Sequence, residues 1–199
     1  MPETFYVADL HFGHKNGLAF DNRPWTTIED HDAAIIENWN DQVGYDDIVY
    51  ILGDISWHNV TKTNEILSQL NGEKHLVRGN HDSKFLRNKD FRDCFVEICN
   101  YRELGKGEDM IVLSHYPIPF FNQQHAGATH LYGHVHITPD YQMTEHMGRL
   151  FSDRFRIPFK AFNVGIMLPY MEWRPQPIER IISGGFFQRA GMVSVEDFE

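Results

Sequence analysis

Residues 76–82 read Leu-Val-Arg-Gly-Asn-His-Asp, an apolar run that breaks into Gly79, Asn80, His81 and Asp82. Glycine, asparagine and aspartate are usual turn formers, so the stretch is read first as a plain exit from a strand. Strand ends in α/β proteins are also where ligands bind, so the same residues are equally read as a site. The pattern along the rest of the chain separates the two.

Upstream, strand-like and helical patterns alternate. FYVAD (residues 5–9) is a short apolar run, and TTIEDHDAAIIENWND starts with Thr26 and carries Glu29 three positions on, a capping-box spacing. Ile28, Ile35, Ile36 and Trp39 then share one helical face. DIVYILGD (47–54) is a continuous buried-type strand, VTKTNEILSQLNG (60–72) a helix stopped by Asn71-Gly72, and KHLVRGNHD (74–82) a third strand. This β-α-β-α-β order predicts an α/β architecture with neighbouring parallel strands. Downstream, FVEICNYREL (95–104) and EDMIVLSH (108–115) flank Gly-Lys-Gly and predict an antiparallel hairpin. THLYGHVH (129–136) and KAFNVG (160–165) are further short strands, and PQPIERIISGG (175–185) is a short helix or turn. Residues 137–159 show no clean period and are read as a long loop or insertion.

Composition narrows the function. With 199 residues, 42% hydrophobic, the chain is expected to form a single domain over 1–199 without disulfide help. A formal net charge of −10 argues against a broad basic face gripping nucleic acid, and duplex nucleic acid is not an expected partner. No apolar run reaches the length of about 18 residues that a membrane span needs. The opening MPETFYVADLHFGH lacks a basic n-region and a small-residue cleavage site, so no signal peptide is expected. Cys94 and Cys99 make neither a disulfide framework nor a zinc-finger spacing, and a reducing cytoplasm is the expected location. Histidine is abundant, at 12 against 18 lysines and arginines together.

The histidines are not scattered. Five strand-like runs end in candidate ligands: Asp9, His11 and His14; Asp54; Asn80, His81 and Asp82; His115; and His134 with His136. A plain-turn reading must explain all five together. Oxygen and imidazole donors without thiolate suit dications such as Mn, Fe, Zn or Ni.

At this point the chain resembles the calcineurin-like metallophosphoesterase superfamily, specifically its small bacterial and phage-type members. The blocks D-x-H, G-D, G-N-H-D, H and G-H-x-H stand in that order at Asp9/His11, Gly53-Asp54, residues 79–82, His115 and residues 133–136. The resemblance implies a four-layer α/β/β/α sandwich and a phosphoric ester hydrolase with two divalent metal ions. One metal would be held by Asp9, His11 and His136, the other by Asn80, His115 and His134, with Asp54 bridging. In the implied two-metal hydroxide mechanism, His81 protonates the departing alkoxide. The substrate class is a small, nucleotide-like phosphodiester or phosphomonoester. A nuclease, and a non-catalytic scaffold like the retromer subunit of this fold, are the alternatives.

The chain reads GDISWHN where the phosphoprotein-phosphatase branch has a further Asp and Arg, which argues against protein-phosphatase activity. Asp82 either orients His81 or caps the following turn. His14, Arg23 and His58 are candidate substrate contacts: His14 near phosphate, Arg23 as a two-oxygen clamp, His58 lining the cleft. Arg149, Arg154 and Arg156 are either a lid or a solvated charge run. His31, His75 and His125 are read as structural or surface residues.

Overall fold

The computed structural model describes residues 2–191; the ends of the expected 1–199 domain, Met1 and residues 192–199, lie outside the described residues. The elements in chain order are β1 (Thr4–Val7), α1 (Lys15–Phe20), α2 (Ile28–Gln42), β2 (Ile48–Ile51), α3 (Val60–Leu67), β3 (Glu73–Val77), α4 (Lys89–Arg92), β4 (Glu97–Cys99), β5 (Tyr101–Leu104), β6 (Ile111–Ser114), β7 (Thr129–Tyr132), α5 (Pro139–Arg154), β8 (Lys160–Asn163), β9 (Gln176–Pro177) and α6 (Ile178–Gly191). They form two parallel-rich sheets flanked by helices, the α/β sandwich that the sequence implies.

The first sheet has the order β4-β3-β2-β1-β9 and the second β5-β6-β7-β8. Strands β1 to β4 run parallel, as do β6, β7 and β8; β9 and β5 are antiparallel to their neighbours. All parallel strands of a sheet therefore end on one edge, and their exit loops collect there. The expected hairpin exists as β5 and β6. The run 95–104 is nevertheless not one strand: it breaks at Asn100, and β4 joins the first sheet while β5 joins the second.

Both sheets feed one apolar core. Val49, Ile51, Leu76 and Val77 from the first share it with Val112, Leu113, Leu131 and Phe162 from the second. Each such burial contributes about 1.5–3 kcal/mol. The sheets also touch through backbone: Ala8 N–H donates to Val164 O at 2.8 Å, and Ile166 N–H donates to Ala8 O at 3.0 Å. That contact lies immediately before Asp9, so the ligand-bearing edges of the two sheets are brought together.

Two local expectations shift. Thr27, not Thr26, caps α2: its side chain accepts from Asp30 N–H. Residues 137–159 are no loop, because α5 fills most of them. Its buried positions, Tyr141, Thr144, Glu145 and Gly148, have helical spacing, but three of the four are polar or glycine. A hydrophobic period could not reveal that face.

Candidate metal centre

The ligand residues sit in loops at the shared edge, four from the first sheet and three from the second. The loops after β1 and β2 run side by side, with Asp9 N–H donating to Gly53 O at 3.1 Å and His11 N–H to Asp54 O at 3.1 Å. Gly53 turns with φ +88°, and a Cβ there would lie 2.5 Å from the Gly79 nitrogen and 2.6 Å from His115 Nδ1. Only glycine permits both the turn and this approach.

Two ligand groups result. In each of the sets Asp9/His11/His136 and Asp54/His115/His134, one donor atom per residue lies within 4.8 Å of the others. Asn80 joins the second, its Oδ1 2.9 Å from His115 Nε2. Asp54 stands between them: Oδ2 is 3.8 Å from His11 Nε2 and 3.6 Å from His115 Nε2. Its Oδ1 accepts the His81 backbone N–H at 3.0 Å, which turns Oδ2 toward both groups. Asp9 Oδ2 accepts from His134 N–H at 2.9 Å, whereas Oδ1 is buried without a hydrogen-bond partner, 3.9 Å from His136 Nε2. A buried carboxylate oxygen left open beside imidazole nitrogens fits a cation. The donors present therefore suit a pair of dications.

Electrostatics follow from burial. Desolvation pushes the Asp9 carboxyl up to about 6, against the opposing pull of His136 and His115. Burial, together with neighbouring His136 and Arg23, holds His11 well below its ordinary value. Burial also lowers His136, but the hydrogen bond and charge of Asp21 and the charge of Asp9 carry it above its usual value.

Ring orientations are fixed by outer partners. An indole N–H only donates, so the 2.9 Å contact makes His11 Nδ1 the acceptor of Trp57 Nε1–H. His11 Nε2 then faces His136 Nε2 at 3.2 Å, and His136 Nδ1 donates to Asp21 Oδ1 at 2.8 Å. A carboxylate behind a ligating histidine fixes its tautomer and raises its basicity. A ligating imidazole is neutral, so His11 holding a cation through Nε2 would carry its hydrogen on Nδ1 and would have to release the Trp57 contact. Asn163 braces the same loop, donating from Nδ2 to His136 O at 3.1 Å. Asp21 and Asn163 carry no sequence signal, since their partners are 115 and 27 positions away.

His81 lies at the rim with a side chain 40% exposed, its Nε2 3.9 Å from Asp54 Oδ2. It shares the wall of a hollow of about 270 Å³ with His14 and Trp57. The His14 ring stacks on Trp57 at 4.3 Å, beside the ligands. Asp82 neither orients His81 nor merely caps the turn that follows it. Its carboxylate accepts backbone N–H groups from Gly79, Asp54 and Ile55 at 2.8, 3.0 and 3.0 Å, tying the loops after β2 and β3 together.

Two substrate contacts anticipated from sequence are corrected. Arg23 is 6% exposed. Its guanidinium bonds twice to Asp21, to the carbonyls of Leu10 and Asp9, and to His31. With those donors committed it cannot clamp phosphate; it holds the loop carrying Asp9 and His11. His58 bonds to Asp32 at 2.7 Å and packs behind Gly13, off the wall of the hollow. His31 is buried between Arg23 and Asp32, which makes it structural. Arg154 and Arg156 are exposed on and just beyond the end of α5, with Arg149 on the helix itself.

The fold and the paired ligand clusters together form a candidate two-cation site at the joined edges of an α/β sandwich. No family model matches the chain. It is 42% identical over 84 residues to an uncharacterized protein of Methanocaldococcus jannaschii, covering 41% of this chain and 48% of that one. It is 31% identical over 135 residues to the gene 66 protein of Mycobacterium phage L5, covering 59% and 64%. The chain thus spans between about half and just under two thirds of the length of these curated relatives. Among solved structures, a protein of unknown function from Aquifex aeolicus shares the fold with a TM-score of 0.60 at 22% identity, over 92% of this chain and 99% of that one. YfcE, a phosphoesterase from E. coli, is more distant, with a TM-score of 0.34 at 18% identity over 66% and 69%. No described helix is long and apolar enough to cross a membrane.

Proposed function

We propose that this protein is a metal-dependent hydrolase of small phosphate esters, with two divalent cations as cofactors. The observation that carries this is Asp54 Oδ2, placed 3.8 and 3.6 Å from histidine nitrogens of two separate ligand groups. Asp9, His11 and His136 would hold one cation, Asn80, His115 and His134 the other, and Asp54 both. When bound, the pair supplies charge to the phosphate oxygens and acidifies a water. The chain's own part is placement and proton transfer. The backbone contact to Asp54 holds His81 at the rim, with Nε2 free to give a proton to the leaving oxygen. Asp21 holds the ring of His136, and Arg23 holds the backbone at Asp9 and Leu10.

The test is chelator-stripped protein, reloaded with Mn, acting on bis-p-nitrophenyl phosphate and p-nitrophenyl phosphate. Activity is expected to vanish on stripping and return with Mn, and to fall more than about a hundredfold in Asp54→Asn. His81→Ala is expected to lose about 10²–10⁴-fold on alkyl esters, and much less on p-nitrophenyl esters, whose leaving group departs without a proton. Full activity in stripped protein would remove the metal-dependent assignment, and an equal loss on both ester types would remove the acid role.

A further inference from the structure

The centre opens onto a second hollow. It has a volume of about 440 Å³ and shares Asn80 with the first, with His115 also on its wall. Arg78, Tyr101 and Tyr116 complete the part that matters here. Arg78 follows β3 directly, and its backbone N–H donates to Cys99 O at 2.8 Å, which anchors the root of an otherwise exposed side chain. It pairs with no carboxylate among the described residues, unlike Arg23, Arg102 and Arg180. Among the described residues, neither hollow is lined by another lysine or arginine. In a chain of net charge −10, this is local attraction for an anion and not the field of the whole molecule. Tyr116 leans its half-exposed ring on His134 at 4.4 Å and His115 at 5.0 Å, and Tyr101 is 41% exposed.

The two hollows differ in chemistry. His81 lines the first and not the second, so the ester oxygen it protonates departs on the first side. With the two non-bridging oxygens turned to the two ligand groups, a diester still has one arm to place. A monoester leaves the second hollow with nothing to hold.

Building on the phosphoesterase function above, we propose that the substrate is a phosphodiester whose retained arm carries a second phosphate, bound by Arg78 in the second hollow. The guanidinium fork matches two phosphate oxygens, and the tyrosine rings suit the nucleoside between the phosphates. Water supplies the oxygen that joins phosphorus, the P–O bond to the leaving arm breaks, and the departing alkoxide takes a proton from His81. The products are an alcohol and a monoester on the retained arm.

Two substrates with the same leaving group test this on the Mn-loaded full chain: the p-nitrophenyl ester of thymidine 5′-phosphate, and its counterpart with an added 3′-phosphate. The added phosphate is expected to raise kcat/KM about tenfold, chiefly through KM. In Arg78→Ala that ratio is expected to collapse toward one, and Arg78→Lys should restore part of it. Equal kcat/KM for the two esters in the unaltered protein, or an unchanged ratio in Arg78→Ala, would overturn the proposal. Turnover of p-nitrophenyl phosphate alone would overturn the diester assignment and leave the phosphoesterase function standing. No turnover of any p-nitrophenyl ester would overturn both.

Discussion

Asp9, His11, Asp54, His134 and His136 all hold positive φ, between 48° and 71°. A non-glycine residue in that region costs of order 1 kcal/mol and persists only where its surroundings over-determine it. Here the surroundings are the loop-to-loop bonds and the Arg23–Asp21 pair beneath them. Asp21 is the critical member, because it serves both His136 and Arg23. Asp21→Asn is expected to weaken the first cation site by about 10–100-fold, read by calorimetric Mn titration. Stability should fall too, by about 3 kcal/mol in urea unfolding, since Arg23 is left buried without its carboxylate. Unchanged Mn affinity would show that His136 does not need the carboxylate. Asp9, His11 and Asp54 were legible as candidate ligands, because they stand where apolar runs end. Asp21 was not, because its value lies in a partner 115 positions away.

At the scale of the element, α5 departs furthest from its sequence pattern. Its start carries Thr138 followed by Pro139, a good first-turn residue, yet its inner face is Tyr141, Thr144, Glu145 and Gly148. Periodicity senses apolar side chains, and a face that packs through glycine and internal polar contacts is invisible to it. Gly148 makes this testable. Alanine is the better helix former by about 1 kcal/mol. A Cβ at this position would nonetheless lie 2.6 Å from Cδ1 of the buried Phe159 ring. Gly148→Ala is therefore expected to destabilise the protein by about 1–3 kcal/mol despite its helix propensity. A rise in thermal midpoint would mean that the ring yields freely.

For the whole molecule, the two sheets meet by backbone bonds at Ala8 and by ligands drawn from both sides of that contact. Cations bound there would join the loops of one sheet to those of the other and would bind the folded chain alone. Mn at a hundred times its dissociation constant should stabilise the fold by about 2.7 kcal/mol per site, seen as a higher melting temperature in scanning calorimetry. Asp54→Asn should remove most of the gain, since Asp54 stands between both groups. No shift with Mn in the unaltered protein would argue against cation binding at the junction.

The alternation of strands and helices, the parallel order and the kind of donor at each strand end were set by the local sequence. Those are properties of short windows: apolar runs, turn residues and side-chain chemistry. The break at Asn100 that sends β4 and β5 to different sheets, the burial of Arg23, the turning of His58 toward Asp32 and the helix at Pro139–Arg154 came only with the tertiary structure. Each depends on which distant group supplies a partner or a packing surface. An arginine reads the same in sequence whether its guanidinium faces a phosphate or is spent on five contacts inside the protein, and only folding settles which partners come within reach.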